Sequence, residues 1–172
     1  MNGRLIVCGL NGSGKSTLGR ALAAALGCPF LDVETYWFGE PAGGYNYARP
    51  RTREEVEALL TRDLRENPSC VLAAVTADYG AAAEALLDQA IFLHVPREIR
   101  MQRIRDRSFR KFGARMLPGG DLHASEERFF AMCASREEAY VTAWLQKVGL
   151  PVIHLDGTAD VGENVEKAKG LL

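Results

Sequence analysis

Paired cysteines are missing from this chain of 172 residues. Its four cysteines, Cys8, Cys28, Cys70 and Cys133, stand far apart, and no two make a CxxC unit. That spacing argues against a zinc knuckle or a disulfide framework and points to buried, reduced thiols, as expected of a cytoplasmic protein. Charge of one sign is also missing. The formal net charge is -1, so the surface as a whole exerts no strong pull on nucleic acid or acidic lipid. No apolar run is long enough to span a bilayer, and no basic leader precedes one, so neither a membrane partner nor secretion is expected. Internal repeats and low-complexity tracts are absent. What is left, 47% hydrophobic and 25% charged residues, suits one globular domain over residues 1–172 with a core of its own.

Short apolar runs alternate with helical patterns along the chain. "RLIVCG" reads as a buried strand, and "SGKSTLGRALAAALG" as a helix stopped by Gly27. Phe30 to Asp32 form a second strand that runs into a loop, and "GEPAGGYNYARP" is too rich in glycine and proline for regular structure. Thr52 and Glu55 make a capping box for a helix whose apolar face is Val56, Leu59, Leu60 and Leu64. "SCVLAAVT" is a third strand, followed by a short helix with Asp78 as its expected cap. "AIFLHV" is a fourth strand, and "REIRMQRIRDRSFRKFG" a basic helix ending near Gly113. The turn-rich "ARMLPGGDLH" precedes a long helical stretch that Ser135 and Glu138, spaced as an internal capping box, divide in two. "PVIHLD" is a fifth strand and a last helix follows. Non-alternating strands separated by helices predict an α/β domain with a parallel sheet covered on both faces.

"GLNGSGKS" supplies the chemistry. Gly9 is followed after four residues by Gly14, Lys15 and Ser16, between a strand and a helix, which satisfies the nucleotide-binding P-loop pattern. Glycines let backbone N–H groups converge on phosphate, and the helix N-terminus adds unpaired N–H groups and a positive dipole end. Gly9, Asn11, Gly12, Ser13, Gly14, Lys15, Ser16 and Thr17 are thus the expected cradle for ATP. Lys15 reaches toward the β and γ phosphates, and Ser16 toward Mg²⁺. The dinucleotide fingerprint GxGxxG fits less well, because these glycines are spaced differently.

Asp32 and Glu34 stand at the carboxyl end of the second strand, the ligand-bearing end of a parallel sheet. Asp32 is a candidate to hold Mg²⁺, to accept a hydrogen bond or to take the proton of an attacking hydroxyl; a helix cap explains it as well. Glu34 is a candidate acceptor contact. The third strand lacks the terminal acid that switches and motors use for Mg²⁺, which leaves Thr76 and Asp78 as acceptor contacts. Arg49, Arg51 and Arg53 flank Pro50 at a spacing suited to an anion, with a solvated basic turn as the alternative. Arg100, Arg103, Arg107 and Arg110 step by three and four along one side of the basic helix, with Met101, Ile104 and Ser108 on another. A polyanion would relieve the repulsion among them, and lid closure would bring them to a transferring phosphoryl group. Asp156 and Gly157, after the fifth strand, lie where an adenine ring could rest.

"GLNGSGKST", "FLDVE", "SFRKFGARMLPGG", "CASR" and "VIHLDGT" together resemble the small P-loop kinases, which include nucleoside monophosphate, shikimate and gluconate kinases. The likeness extends over essentially the whole chain and is stronger to bacterial adenylate-kinase-like or shikimate-kinase-like ATPases. It implies a three-layer α/β/α fold with a five-stranded parallel sheet, the P-loop NTP hydrolase fold of the small-kinase type. It also implies ATP and Mg²⁺ on Lys15 and Ser16, with Asp32 and Glu34 in place of that group's acidic-x-acidic motif. Arg103, Arg107, Arg110 and Arg115 would be phosphate contacts from a lid over about 107–125, facing an acceptor-side loop over about 35–53. "VTADYG" stands where shikimate kinase has three glycines, which argues against shikimate. The expected function is transfer of the γ-phosphate of ATP to a small molecule, a nucleoside or nucleotide because Arg49, Arg51 and the rings of "YNY" adjoin the site. A regulatory ATP-binding protein without an acceptor and a polynucleotide 5'-hydroxyl kinase are the other readings. The near-neutral charge weighs against nucleic acid as a partner. A monomer or homodimer is expected.

Overall fold

The computed structural model describes residues 3–39 and 50–172, so Arg49 and the "YNY" stretch lie outside the described residues. Five parallel strands, β1 (Arg4–Cys8), β2 (Phe30–Asp32), β3 (Cys70–Ala73), β4 (Gln89–His94) and β5 (Val152–Asp156), form one sheet in the order β2-β3-β1-β4-β5. The helices are α1 (Lys15–Leu26), α2 (Val33–Phe38), α3 (Arg53–Glu66), α4 (Ala81–Glu84), α5 (Arg97–Phe112), α6 (His123–Ser135), α7 (Ala139–Val148) and α8 (Val161–Lys169). A 3₁₀ turn, Gly113–Met116, joins α5 to the segment before α6.

The strands are short and apolar because both of their faces are covered. Successive residues of β1 alternate between two cores. Ile6 and Cys8 pack with Leu72 and Phe92 under α3 and α7, through Leu60, Leu64, Val141 and Trp144. Leu5 and Val7 pack with Val71 and Ile91 under α1 and α8, through Leu18, Leu22, Val165 and Ala168. Each large side chain buried this way contributes roughly 1.5–3 kcal/mol relative to exposure. A third, smaller cluster of Ile104, Met116, Phe130 and Cys133 holds the 3₁₀ turn and α6 against α5, giving this segment an apolar centre of its own. The four cysteines are unpaired. Among the described residues, no helix is long and apolar enough to cross a membrane.

Local signals account for most of the element ends. Gly27 closes α1 in the left-handed conformation at φ 66°. Thr52 and Glu55 form both bonds of a capping box at the start of α3, at 3.2 and 2.8 Å. Three expectations are corrected. The chain after Asp32 is the helix α2 rather than a loop, because the Asp32 carboxylate accepts the Glu34 N–H at 3.1 Å and caps it. Asp78 does not cap α4, whose N-cap is Gly80 and which has no side-chain cap; Asp78 is drawn instead to Arg53 and Lys147. The stretch after residue 122 does divide into two helices, yet Ser135 and Glu138 make no capping box. Ser135 donates back to Met132 C=O at 3.0 Å, and Glu138 caps nothing with its side chain.

β1 lies between β3 and β4, so the chain leaves its carboxyl end at the point where successive strands diverge to either side. A crevice for ligand opens there in parallel α/β sheets.

Candidate active site

The glycine loop between β1 and α1 is shaped by contacts that a side chain would spoil. Gly12 has φ 82°, and a Cβ there would meet the Arg100 carbonyl oxygen at 2.5 Å, so α5 packs directly on the loop. Gly14, at φ 96°, is the left-handed residue that turns the chain into α1 and leaves the first helical N–H groups aimed outward. Ser13 is buried with its hydroxyl unpartnered. Lys15 opens α1, and its Nζ donates to Leu10 C=O at 3.1 Å. Desolvation pulls the Lys15 ammonium down to about 8, opposed first by the nearby Asp32 carboxylate and assisted by the Arg107 guanidinium. Ser16 is half-buried beside it and Thr17 is exposed. An N–H-rich loop with a cation that has no carboxylate within ion-pair distance among the described residues is chemistry that fits the phosphates of ATP. Ser16 and Asp32 carry hard oxygen donors that suit Mg²⁺ shared with phosphate. Among the described residues, no three His, Cys, Asp or Glu side chains gather to hold an ion by themselves.

The arginines of α5 divide by depth. Arg100 does not belong to an exposed arginine face; it lies with Ile104 and Ser108 on the buried stripe. Its Nε donates to Val95 C=O at 3.2 Å and its Nη1 to Asn11 C=O at 3.3 Å. Arg103 donates from Nη1 to Gly157 C=O at 3.0 Å and to Ser13 C=O at 3.5 Å, tying the loop after β5 to the glycine loop. Arg107 and Arg110 extend exposed, and Arg107 is near enough to Lys15 to disfavour its charge. Arg115 is held by both oxygens of Asp121, at 3.0 and 2.7 Å.

Asp32 and Glu34 both favour the Lys15 charge, so α2 starts beside the cradle. Arg51 lies elsewhere in the chemistry: its Nη1 donates to Thr35 C=O at 3.0 Å and Tyr36 C=O at 2.7 Å, pinning the end of α2. Arg53 donates to the Asp78 carbonyl oxygen, and the Asp78 carboxylate pairs with Lys147 at 3.2 Å, so this candidate acceptor contact joins three elements. Thr76 is buried next to Val75, whose carbonyl accepts the Gly9 N–H at 3.4 Å. Asp156 accepts from Thr158 N–H at 2.8 Å and from its hydroxyl at 2.6 Å, shaping the turn after β5. A Cβ on Gly157 would meet Val95 at 2.5 Å and Ser13 C=O at 2.9 Å, so this turn sits flush against the glycine loop.

Two residues outside the sequence expectations hold the site. Arg136, at the break between α6 and α7, donates from Nη1 to Asn11 Oδ1 at 3.0 Å and lies over the Tyr140 ring at 5.7 Å. Asn164, buried in α8, donates to Asp156 C=O at 2.8 Å and fixes the turn from behind. Arg136 ends the "CASR" stretch of the resemblance, which assigned it no role, and an asparagine within a helix carries no local signature.

A parallel β2-β3-β1-β4-β5 sheet with this glycine loop at its divergence point defines a P-loop NTPase of three-layer α/β/α architecture, with the fold of P-loop kinase-like ATPases and phosphotransferases. The chain belongs to the family described as AAA domain, whose model matches residues 5–114. It is similar to the uncharacterized protein YqaC of Bacillus subtilis (strain 168), 26% identical over 175 residues that cover 97% of this chain and 96% of that protein. Among solved structures, a gluconokinase from Sinorhizobium meliloti 1021 superposes with a TM-score of 0.60 at 19% identity, over 97% of this chain and 89% of that one. A shikimate kinase from Acinetobacter baumannii in complex with shikimate gives 0.61 at 17% identity, over 99% and 93%. At these identities the two structures share the fold with this chain.

Proposed function

We propose that the protein is an ATP-dependent phosphotransferase that moves the γ-phosphate to a small-molecule acceptor, a nucleoside or nucleotide. The observation that carries this reading is the setting of Lys15, whose charge is favoured by the Asp32 and Glu34 carboxylates and disfavoured by the Arg107 guanidinium. A carboxylate pair has no use in holding phosphate alone; beside a phosphate cradle it suits an acceptor hydroxyl. A cavity of about 600 Å³ lined in part by Asp32 and Glu34 opens at this place, and among the described residues no side chain fills it. That favours transfer over a purely regulatory use of ATP.

In this reading the glycine-loop N–H groups and Lys15 hold the β and γ phosphates, and the turn at Asp156 and Gly157 supports the base, with Arg103 beneath it. Ser16 and Asp32 are the residues that would hold Mg²⁺, which supplies neutralisation of phosphate charge. The acceptor oxygen attacks the γ-phosphorus in line, forming a new P–O bond as the bond to the β-γ bridging oxygen breaks. Asp32 orients the hydroxyl and takes its proton. Arg107 and Arg110 stabilise charge on the transferring group when the lid, residues of about 107–125, closes. We place this reaction in the cytoplasm, where the four thiols stay reduced.

Release of ADP measured across nucleosides, nucleotides and hydroxy acids tests the reading. At least one nucleoside or nucleotide is expected to stimulate release in wild type and not in Lys15→Met. Stimulation by none of them would remove the acceptor assignment.

A further inference from the structure

The carboxyl halves of β4 and β5 carry two of the chain's three histidines, and the proposed reaction uses neither. His94 Nε2 and His154 Nδ1 lie 2.8 Å apart. Their ring planes are within 20° of each other and the centroids are 5.1 Å apart, which is the separation that a head-on contact of two imidazole nitrogens gives. Phe92, fully buried, supports both rings, 4.1 Å from the His94 centroid and 5.9 Å from that of His154. The other His94 nitrogen, Nδ1, is 3.1 Å from Glu138 Oε2. Three side chains in a row thus tie the sheet to Glu138, the residue at which α7 begins.

The acceptors fix where the hydrogens lie. An ionised Glu138 carboxylate can only accept, so His94 Nδ1 carries a hydrogen and donates to it. His94 Nε2 is then an acceptor, and the His154 Nδ1–H donates to it. One added proton fits this row. On His154 Nε2 it leaves every bond in place; shifted to His94, it makes that Nε2–H the donor and His154 Nδ1 the acceptor. A second added proton does not fit. Both facing nitrogens then carry hydrogens at 2.8 Å, and the bond between the rings is lost to repulsion of like charges. A cavity of about 700 Å³ opens beside the pair, so water and protons reach it. Among the described residues, the charged groups around it are Asp156 on β5, Arg97 and Arg100 on α5, and Arg136, Glu137 and Glu138 at the break between α6 and α7. Acids and cations balance, and Asp156 is committed to Thr158, so these surroundings supply no excess negative charge to hold the second proton.

What Glu138 holds bears on the glycine loop. It stands two residues after Arg136, whose guanidinium bonds the Asn11 side chain at 3.0 Å. Burial disfavours the charge of Arg100 and the Glu138 carboxylate favours it, so the second guanidinium on Asn11 depends on the same residue. The body of α7 is anchored in the core by Val141, Trp144 and Leu145, so release of Glu138 is felt at the break and in the first turn of the helix. We infer that Glu138, His94 and His154 form a proton-operated latch. It holds the α6–α7 break, and through Arg136 the glycine loop, while the histidine pair carries no more than one added proton. It opens when both rings are charged, which weakens nucleotide binding on the acid side of the ordinary imidazole value of about 6.5. The latch requires a nucleotide at the glycine loop and is independent of which acceptor receives phosphate.

The test compares wild type with His154→Asn, whose side-chain amide can accept from or donate to His94 Nε2 and so keeps the link in either protonation state. His154 is exposed, so this variant keeps the fold, and its melting curve verifies this. Affinity of the full chain for a non-hydrolysable ATP analogue is titrated calorimetrically at constant ionic strength from about pH 7 to about pH 5.5, across the imidazole range. Protonation of the analogue is common to both proteins and cancels in their ratio, and Lys15 loses its proton at about 8, above this range. The two proteins should bind alike at the upper end, and wild type should bind about tenfold more weakly than His154→Asn at the lower end. In an Arg136→Ala background this difference should disappear, because the latch then has no hold on Asn11. Hydrogen exchange reads the latch without nucleotide. The Val141 and Thr142 amides donate to Glu138 C=O at 2.9 and 3.0 Å, and their protection should fall about tenfold with pH in wild type and not in His154→Asn. A wild-type affinity that runs parallel to that of His154→Asn, or protection of these amides that does not change, overturns the latch. A difference that persists in Arg136→Ala overturns its connection to the glycine loop.

Discussion

Arg136 donates a hydrogen bond to the Asn11 side chain at 3.0 Å, joining the break between α6 and α7 to the glycine loop across 125 residues of sequence. Arg100 holds the same Asn11 by its carbonyl oxygen at 3.3 Å. The glycine loop is therefore braced from outside by two guanidiniums, and the break between α6 and α7 is mechanically connected to it.

Removing the Arg136 brace should be felt at the nucleotide. Arg136→Ala is expected to weaken ATP about tenfold, the scale of one charge-assisted hydrogen bond, and Arg136→Lys to recover part of that loss. Calorimetric titration with ATP checks both; unchanged affinity in Arg136→Ala would mean that Asn11 is held well enough by Arg100 alone.

Lys15 gives the free protein a pH signature. Its ammonium is pulled down to about 8 from an ordinary 10.5, so above about pH 8 it is largely neutral until phosphate arrives. Phosphate favours the charged form, so ATP binding near pH 9 should take up a proton, and Lys15→Met should abolish that uptake. Binding enthalpies measured in buffers of different ionisation enthalpy read the proton directly. The same shift affects stability. The unfolded chain binds the extra proton between about pH 8 and 10.5, so this group makes folding more favourable as pH rises through that window.

Arg107 lowers the affinity of Lys15 for its proton. In Arg107→Gln the midpoint of proton uptake should therefore move upward from about 8. In the proposed transfer reaction the same variant is expected to lose about 100-fold in kcat, the usual scale for one donor to a charged transition state, with little change in melting temperature. A fall in melting temperature without a kinetic effect would assign Arg107 to the fold instead.

Gly12→Ala should damage both fold and site. The new Cβ meets the Arg100 carbonyl at 2.5 Å on a backbone held at φ 82°. A loss of roughly 2 kcal/mol is expected, seen as a melting temperature lower by about 4–8 °C, together with loss of ATP binding.

Glu84 is the half-buried centre of a network away from the cradle. It accepts from Trp144 Nε1 at 2.8 Å and from Lys147 Nζ at 3.1 Å, joining α4 to α7. Glu84→Ala leaves the Trp144 N–H without this acceptor and should destabilise the domain by roughly 1–3 kcal/mol in denaturant titration. Affinity for ATP at 20 °C should be unaffected.

The legible parts of this chain are those whose physics is local. The glycine loop, the stop at Gly27 and the Thr52–Glu55 capping box each depend on bonds between residues a few positions apart, so spacing alone reveals them. The alternation of apolar runs with helices carried the parallel sheet, because a strand covered on both faces has to be apolar throughout. Asp78 shows where this reading stops: its position suggested a helix cap, while Lys147, 69 residues away, decided its partner.

By itself, the sequence determined that a phosphate cradle stands between a strand and a helix in a parallel α/β domain, since backbone N–H geometry follows from consecutive glycines and a helix start. Only the tertiary structure decided which arginines remain for a ligand. Arg100, Arg51 and Arg115 look alike in sequence to Arg107 and Arg110. Yet Arg100 and Arg51 are committed to backbone carbonyls and Arg115 to Asp121, while Arg107 and Arg110 stand exposed on α5. A guanidinium acts on whatever acceptors folding brings within about 3 Å, and those acceptors can lie anywhere in the chain.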